Sequence, residues 1–205
     1  MTAMQDTVIP RWEWRTFAVI LNQLEARIGA AAQVSSRDSD ELYLLNLEGP
    51  HNAKIRGGVL DIKQLQEVNA DGLELWKPAF KAAFPLAAAA LRDAFKAWAL
   101  PTPALARDTY TLDQFLAEVA APHPALHVAK VRKARRGFTF GGCTAEFASV
   151  VVDSHACASF CLEHENPMLI MAALKELRLA SQANINYPEG LKRALGLSRE
   201  PLAAT

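Results

Sequence analysis

Residues 52–65, NAKIRGGVLDIKQL, have the spacing of two paired strands but an unusual choice of side chains. Lys54 and Arg56 alternate with Ala53 and Ile55; after Gly57 and Gly58, Asp61 and Lys63 alternate with Leu60 and Ile62. Side chains two apart on a strand share a face, so each strand has one apolar and one charged face. The two glycines suit the positive φ angles of a tight hairpin turn. Whether the charged face meets water or an anion decides what kind of sheet this is.

The alternation recurs along the chain. Residues 8–17, VIPRWEWRTF, put Arg11, Glu13 and Arg15 on one face and Trp12 and Trp14 on the other. The stretch ALHVAKVRKARRGFTF carries Lys130 and Arg132, followed shortly by Arg135 and Arg136, and Glu146 lies in CTAEFASVVVD. In SFCLEHE, Glu163 and Glu165 stand opposite Phe160 and Leu162. A single half-wet antiparallel strand shows such a pattern with its charges in water. Here the signs are sorted, basic near 54, 130 and 135 and acidic near 163, which points to an inverted barrel, apolar outside under helices and charged within. Charges turned inward are costly unless paired or neutralised. A basic lining therefore needs an anion, and phosphate oxygens are the usual partners of Arg and Lys. Glu-x-Glu offers hard oxygen donors roughly 7 Å apart along a strand, suited to magnesium or manganese rather than zinc.

Helices lie between and after the strands. Leu21, Leu24 and Ile28 recur at helical spacing up to Gly29. FPLAAAALRDAFKAWAL is rich in helix formers, with Leu91, Phe95 and Trp98 along one face. PTP breaks that helix, TLDQFLAEVA starts another capped by Thr111, and PMLIMAALKELRL and YPEGLKRALG close the chain before a frayed SREPLAAT. The expected class is α+β: an antiparallel β tunnel barrel with a polar interior and helices packed outside. Residues 1–205 read as a single domain with a helical insertion at about 78–120.

The 205 residues are 51% apolar, with 22 Lys plus Arg balanced by 22 Asp plus Glu. No global charge calls for a nucleic-acid duplex or a membrane surface, and no apolar window spans a bilayer. MTAMQDTVIPRWEW lacks the basic and apolar regions of a signal peptide, so a cytoplasmic protein is expected. Three cysteines fit a reduced compartment. Cys157 and Cys161 lie roughly 13 Å apart on a straight strand, too far to share a zinc ion, and read as small buried residues.

The strands in this order resemble the CYTH superfamily, the triphosphate tunnel metalloenzymes, from Ile9 to Leu197. The likeness is best at AKIR, HVAKVRKARRGFTFGGCTAEF, CLEHE and NYPEGLKRALG. It implies a tunnel that binds a triphosphate or inorganic polyphosphate with Mg2+ or Mn2+; activities in that superfamily include inorganic, thiamine and RNA triphosphatases and adenylyl cyclase. Carried over by position, Lys54, Arg56, Lys130, Arg132 and Arg135 would contact phosphates, with Lys63 and Lys77 as further lining and Asp61 as a salt-bridge partner. Glu13, Glu146, Glu163 and Glu165 would face metal, Glu163 and Glu165 being the catalytic pair. The family's N-terminal Glu-x-Glu-x-Lys is here Arg11, Glu13, Arg15, so a cation stands where the first carboxylate is expected. Three functions follow: a metal-dependent phosphoanhydride hydrolase, a non-catalytic polyphosphate or nucleotide sensor, or a structural barrel without a small ligand.

Overall fold

The computed structural model describes residues 9–18, 21–28 and 33–202. The strands in it are β1 (Arg11–Ala18), β2 (Gln33–Asn46), β3 (Asn52–Arg56), β4 (Val59–Val68), β5 (Glu74–Ala83), β6 (Leu86–Ala87), β7 (Thr109–Tyr110), β8 (Leu126–Phe140), β9 (Cys143–Val152) and β10 (His155–His164). β6 and β7 pair only with each other; the other eight close an antiparallel barrel in the order β1-β10-β9-β8-β2-β3-β4-β5. The helices are α1 (Asn22–Ile28), α2 (Ala88–Ala97), α3 (Leu112–Phe115, extended by a π-helical turn, Leu116–Ala120), α4 (Pro167–Glu176) and α5 (Tyr187–Ala194).

Local chemistry sets these boundaries. Gly57 and Gly58, at φ +56° and +72°, turn β3 into β4, and Gly141 and Gly142 do the same for β8 and β9. Thr111 caps α3 with its hydroxyl on the Gln114 N–H, while the Gln114 side chain accepts from the Thr111 N–H. Asn166 and Asn186 cap α4 and α5, each followed by a proline in the first turn.

Two apolar layers lie outside the barrel. One packs Leu44, Ile55, Leu60 and Ile62 against Leu91, Phe95 and Trp98 of α2 and Phe115 of α3. The other packs Trp14, Phe147, Phe160 and Leu162 against Leu24 and Ile28 of α1 and Ile170 and Leu174 of α4. A third cluster is internal: Phe17, Tyr43, Leu45, Val131, Val150 and Cys157 surround Tyr187 and Leu191 of α5. α5 fits because Gly190 leaves room for the Phe17 ring, which a Cβ would meet. The barrel is therefore polar over only part of its interior, and α5 fills the rest.

Two boundaries differ from expectation. β2 begins at Gln33, eight residues before the apolar alternation of ELYLLN, because its polar first half pairs with Ala134 to Phe138 of the long β8. The segment expected as a helical insertion opens instead with strand, since β5 runs on to Ala83 along β4. The expected strand start at Val8, the helix end at Gly29 and the last three residues of the tail lie outside the described residues. No described helix is long and apolar enough to cross a membrane.

Candidate functional site

The inward positions of the barrel strands enclose a cavity of about 150 Å³, the share of roughly five waters. Glu13 and Arg15 of β1, Lys54 of β3, Asp61 and Lys63 of β4, Lys133 and Arg135 of β8, Glu146 of β9 and Glu163 of β10 supply its charge. Tyr43, Asn52, Trp76 and Tyr187 complete the wall.

Its inner end is organised around Glu41, whose side chain is 0% exposed. The Glu41 carboxylate lies 3.0 Å from Lys133 Nζ, 3.4 Å from Lys54 Nζ, 3.4 Å from Arg56 Nη1 and 3.8 Å from Arg135 Nη2. Ser39 donates to it at 3.1 Å. Burial alone would raise this carboxyl, but the Lys133 and Lys54 charges outweigh it and hold it down at about 2. Burial pushes the Lys133 ammonium down to about 7, against the pull of Glu41. Lys133 also donates to Tyr43 Oη at 2.6 Å and stands over the Tyr187 ring at 3.7 Å.

The outer end is acidic. Glu13 and Glu163 are direct cross-strand partners, a like-charge pairing that is unfavourable unless something neutralises it. Burial raises Glu13, but Arg15, at 2.7 Å, and Lys63 bring it below its ordinary value. Burial and the Glu13 charge push Glu163 the other way. Cys161 donates to Glu163 at 3.5 Å, and ligand atoms of Glu13, Cys161 and Glu163 all lie within 4.8 Å of one another. Glu165, just past the end of β10, lines the mouth beyond them together with Arg11 and Lys63.

The structure sorts the expected site residues unevenly. Lys54, Arg135, Glu13, Glu146 and Glu163 line the cavity, and so do Lys63 and Asp61. Arg56 reaches Glu41 from the rim, and Glu165 stands at the mouth. Asp61 is the cross-strand partner of Lys54, but among the described residues it forms no ion pair within 4 Å. Lys77 is exposed and does not line the cavity. Lys130 and Arg132 are corrections: both are exposed on the outer face of β8, and the inward series is Ala129, Val131, Lys133, Arg135. The rule that charged residues face in fails at this end of β8 because α5 fills the barrel there, so Ala129 and Val131 turn inward to meet it. Glu41 and Lys133 were not anticipated. Their signal was parity: Glu41 shares a face with Tyr43, and Lys133 shares one with Arg135 but not with Arg132.

No protein-family model matches the chain, and no curated protein matches its sequence. Solved structures similar to it include a protein from Pyrococcus horikoshii OT3, at 15% identity over 87% of this chain and 94% of that one, TM-score 0.47. A candidate adenylate cyclase from Bacillus halodurans matches at 10% identity over 88% and 95%, TM-score 0.46. A candidate adenylyl cyclase from Hippeastrum, described as having a dominant triphosphatase activity, matches at 11% identity over 85% and 92%, TM-score 0.44.

Proposed function

We propose that the cavity binds the phosphate chain of a triphosphate or inorganic polyphosphate, and that the protein hydrolyses its terminal phosphoanhydride with a divalent cation. The observation that carries this reading is a closed barrel whose interior gathers Arg15, Lys54, Lys63, Lys133 and Arg135 around one cavity, with the paired carboxylates Glu13 and Glu163 shared between that cavity and its mouth. The CYTH resemblance of the sequence agrees with it.

The donor set fits a divalent cation. Glu13 and Glu163 face each other with a surplus of negative charge, and Cys161 and Glu165 are the neighbouring donors. Oxygen donors suit Mg2+ or Mn2+, and the thiol is a donor for which Mg2+ has little use. Bound there, the cation would neutralise phosphate charge and polarise the phosphoryl group. The chain's own residues supply the rest. Lys54, Lys133 and Arg135 hold non-bridging oxygens and stabilise charge on the departing phosphate. Glu163 takes a proton from the water whose oxygen attacks the terminal phosphorus; the bridging P–O bond breaks and its electron pair leaves with the shortened chain.

Arg11 favours a second reading, a polyphosphate sensor without turnover. Its guanidinium lines the same mouth as Glu13, Glu163 and Glu165 and opposes a cation there. Two measurements test these readings. Tripolyphosphate at a hundred times its dissociation constant should stabilise the protein by about 2.7 kcal/mol; Lys54→Ala with Arg135→Ala should abolish the thermal shift, whereas Arg132→Ala, on the outer face, should leave it intact. An unchanged midpoint in the wild type would leave only a structural barrel. Phosphate release from tripolyphosphate, ATP and thiamine triphosphate, each with Mg2+ and with Mn2+, separates hydrolase from sensor.

A further inference from the structure

Four cations converge on Glu41, and three of them, Lys54, Lys133 and Arg135, also line the cavity. Glu41 itself does not line that cavity; it stands behind these cations, fully buried. Four like charges at this spacing would repel one another strongly in a poorly solvated interior. The carboxylate thus lets the cluster persist when no ligand is present. It also sets a condition on any ligand, because a phosphate reaching these three cations meets groups already shared with a fixed negative charge, and feels that charge through them.

The remaining cavity cations are outside the Glu41 network. Arg15 is bound to Glu13 at 2.7 Å, and Lys63, which lines both the cavity and its mouth, has no ion-pair partner within 4 Å among the described residues. A single phosphate seated at the inner end gains only cations that already share the Glu41 charge. A condensed chain long enough to reach Lys63 also meets a cation that lies outside the Glu41 network and has no ion pair within 4 Å among the described residues.

We propose that Glu41 is a built-in counter-anion that makes the site selective for condensed phosphates over single ones. This rests on the tunnel reading above. Glu41 is a specificity residue that acts through Lys54, Lys133 and Arg135. Removing its charge should help short anions most, since they lie wholly within its network, and long ones proportionally less.

The test is calorimetric titration of the full-length wild type and Glu41→Gln with orthophosphate, pyrophosphate and tripolyphosphate at one salt concentration without divalent metal. The wild type should prefer tripolyphosphate to orthophosphate by about a hundredfold or more, and Glu41→Gln should tighten orthophosphate by about tenfold, narrowing that ratio. If Glu41→Gln weakens all three ligands together, Glu41 only holds the cations in place and the proposal is overturned. A wild type that binds none of them overturns the tunnel reading and this inference with it; binding with an unchanged ratio in the variant overturns the inference alone. Should Glu41→Gln fail to fold, Glu41→Gln with Arg56→Gln removes the carboxylate together with the one partner that does not line the cavity, and the same narrowing is expected. A ratio in that double variant equal to the wild-type ratio would equally overturn it.

Discussion

The two ends of the cavity solve opposite electrostatic problems. At the inner end one carboxylate, Glu41, is surrounded by four cations; at the outer end two carboxylates, Glu13 and Glu163, share mainly Arg15. The inner cluster has excess positive charge and yet contains its own counter-ion. The outer pair has excess negative charge, and the protein relieves it by splitting the two carboxyls, Glu13 down and Glu163 up. An interior built this way has little net charge but a strong charge separation along its length. Such a gradient suits a ligand that is itself divided, an anionic chain at one end and a cation at the other.

The sharpest way to break the contrast is with acid. Glu41 ionises at about 2 in the folded state against 4.5 ordinarily, so its contribution is present above pH 4.5 and is lost as pH falls toward 2. That loss should approach about 3 kcal/mol. Glu41→Gln should start less stable, by about 3 to 5 kcal/mol for breaking a buried pair, and show a flatter acid limb. Equal acid slopes in the two proteins, read from urea midpoints between pH 5 and 2.5, would mean that the cluster is not held by this carboxylate.

Raising the pH acts on the same end through Lys133. The groups facing it are Glu41 and Tyr43 from β2, Lys54 from β3, Arg15 from β1, Tyr187 from α5 and Arg135 on its own strand. With its ammonium titrating at about 7, it is charged below that pH and neutral above it. Tripolyphosphate affinity should therefore fall by up to about tenfold per pH unit above 7. Lys133→Met should bind more weakly at pH 6 but lose most of that slope. A wild-type affinity that is level from pH 6 to 9 would show that Lys133 stays protonated, or that the chain never reaches it.

At the outer end the expected sign reverses. Glu163→Gln removes one of two facing like charges, so the metal-free protein should gain up to about 1 kcal/mol. The same change should cost Mn2+ affinity, seen as a smaller thermal shift on adding Mn2+ after chelation. A variant that loses stability in chelator would mean that Glu163 is satisfied without a cation.

The barrel was legible because most of its strands alternate apolar and charged residues and Gly57-Gly58 marks the turn between β3 and β4. The acidic end was legible as well: Glu13, Glu146 and Glu163 alternate with apolar residues that pack outward. The basic end was legible only in part: Lys54, Arg56 and Arg135 were readable as inward cations, but the face of β8 was not. In HVAKVRKARRGF both faces carry cations, so composition could not choose between Lys130 with Arg132 and Lys133 with Arg135. The choice is made by α5, some 55 residues further along the chain, whose Tyr187 and Leu191 require Ala129 and Val131 inside. Glu41 was hidden for a related reason. It lies in the run RDSDEL, where four acidic and basic residues in sequence resemble a solvated edge, and only the pairing of β2 with β8 turns it inward.

The smallest expected effect concerns Arg11, the cation at the acidic mouth. It is exposed at the start of β1, opposite Trp76, and shares the mouth with Glu13, Glu163 and Glu165. Exposed charges interact weakly, so its influence on a cation bound at Glu13 and Glu163 should be about 1 kcal/mol or less. Arg11→Glu reverses the charge and adds a carboxylate on the inward face of β1. Mn2+ should then bind several-fold more tightly, about fivefold for 1 kcal/mol, and Mn2+-dependent release of phosphate from tripolyphosphate should rise with it. The gain should disappear in Arg11→Glu with Glu163→Gln, where the cation again lacks a ligand. It should also shrink at high salt, because the mouth is open to screening in a way the Glu41 cluster is not. Strong wild-type hydrolysis that falls on Arg11→Glu would reverse the assignment: Arg11 would then hold the phosphate end of the ligand, and the charge gradient along the cavity would run to the mouth as a second anion site.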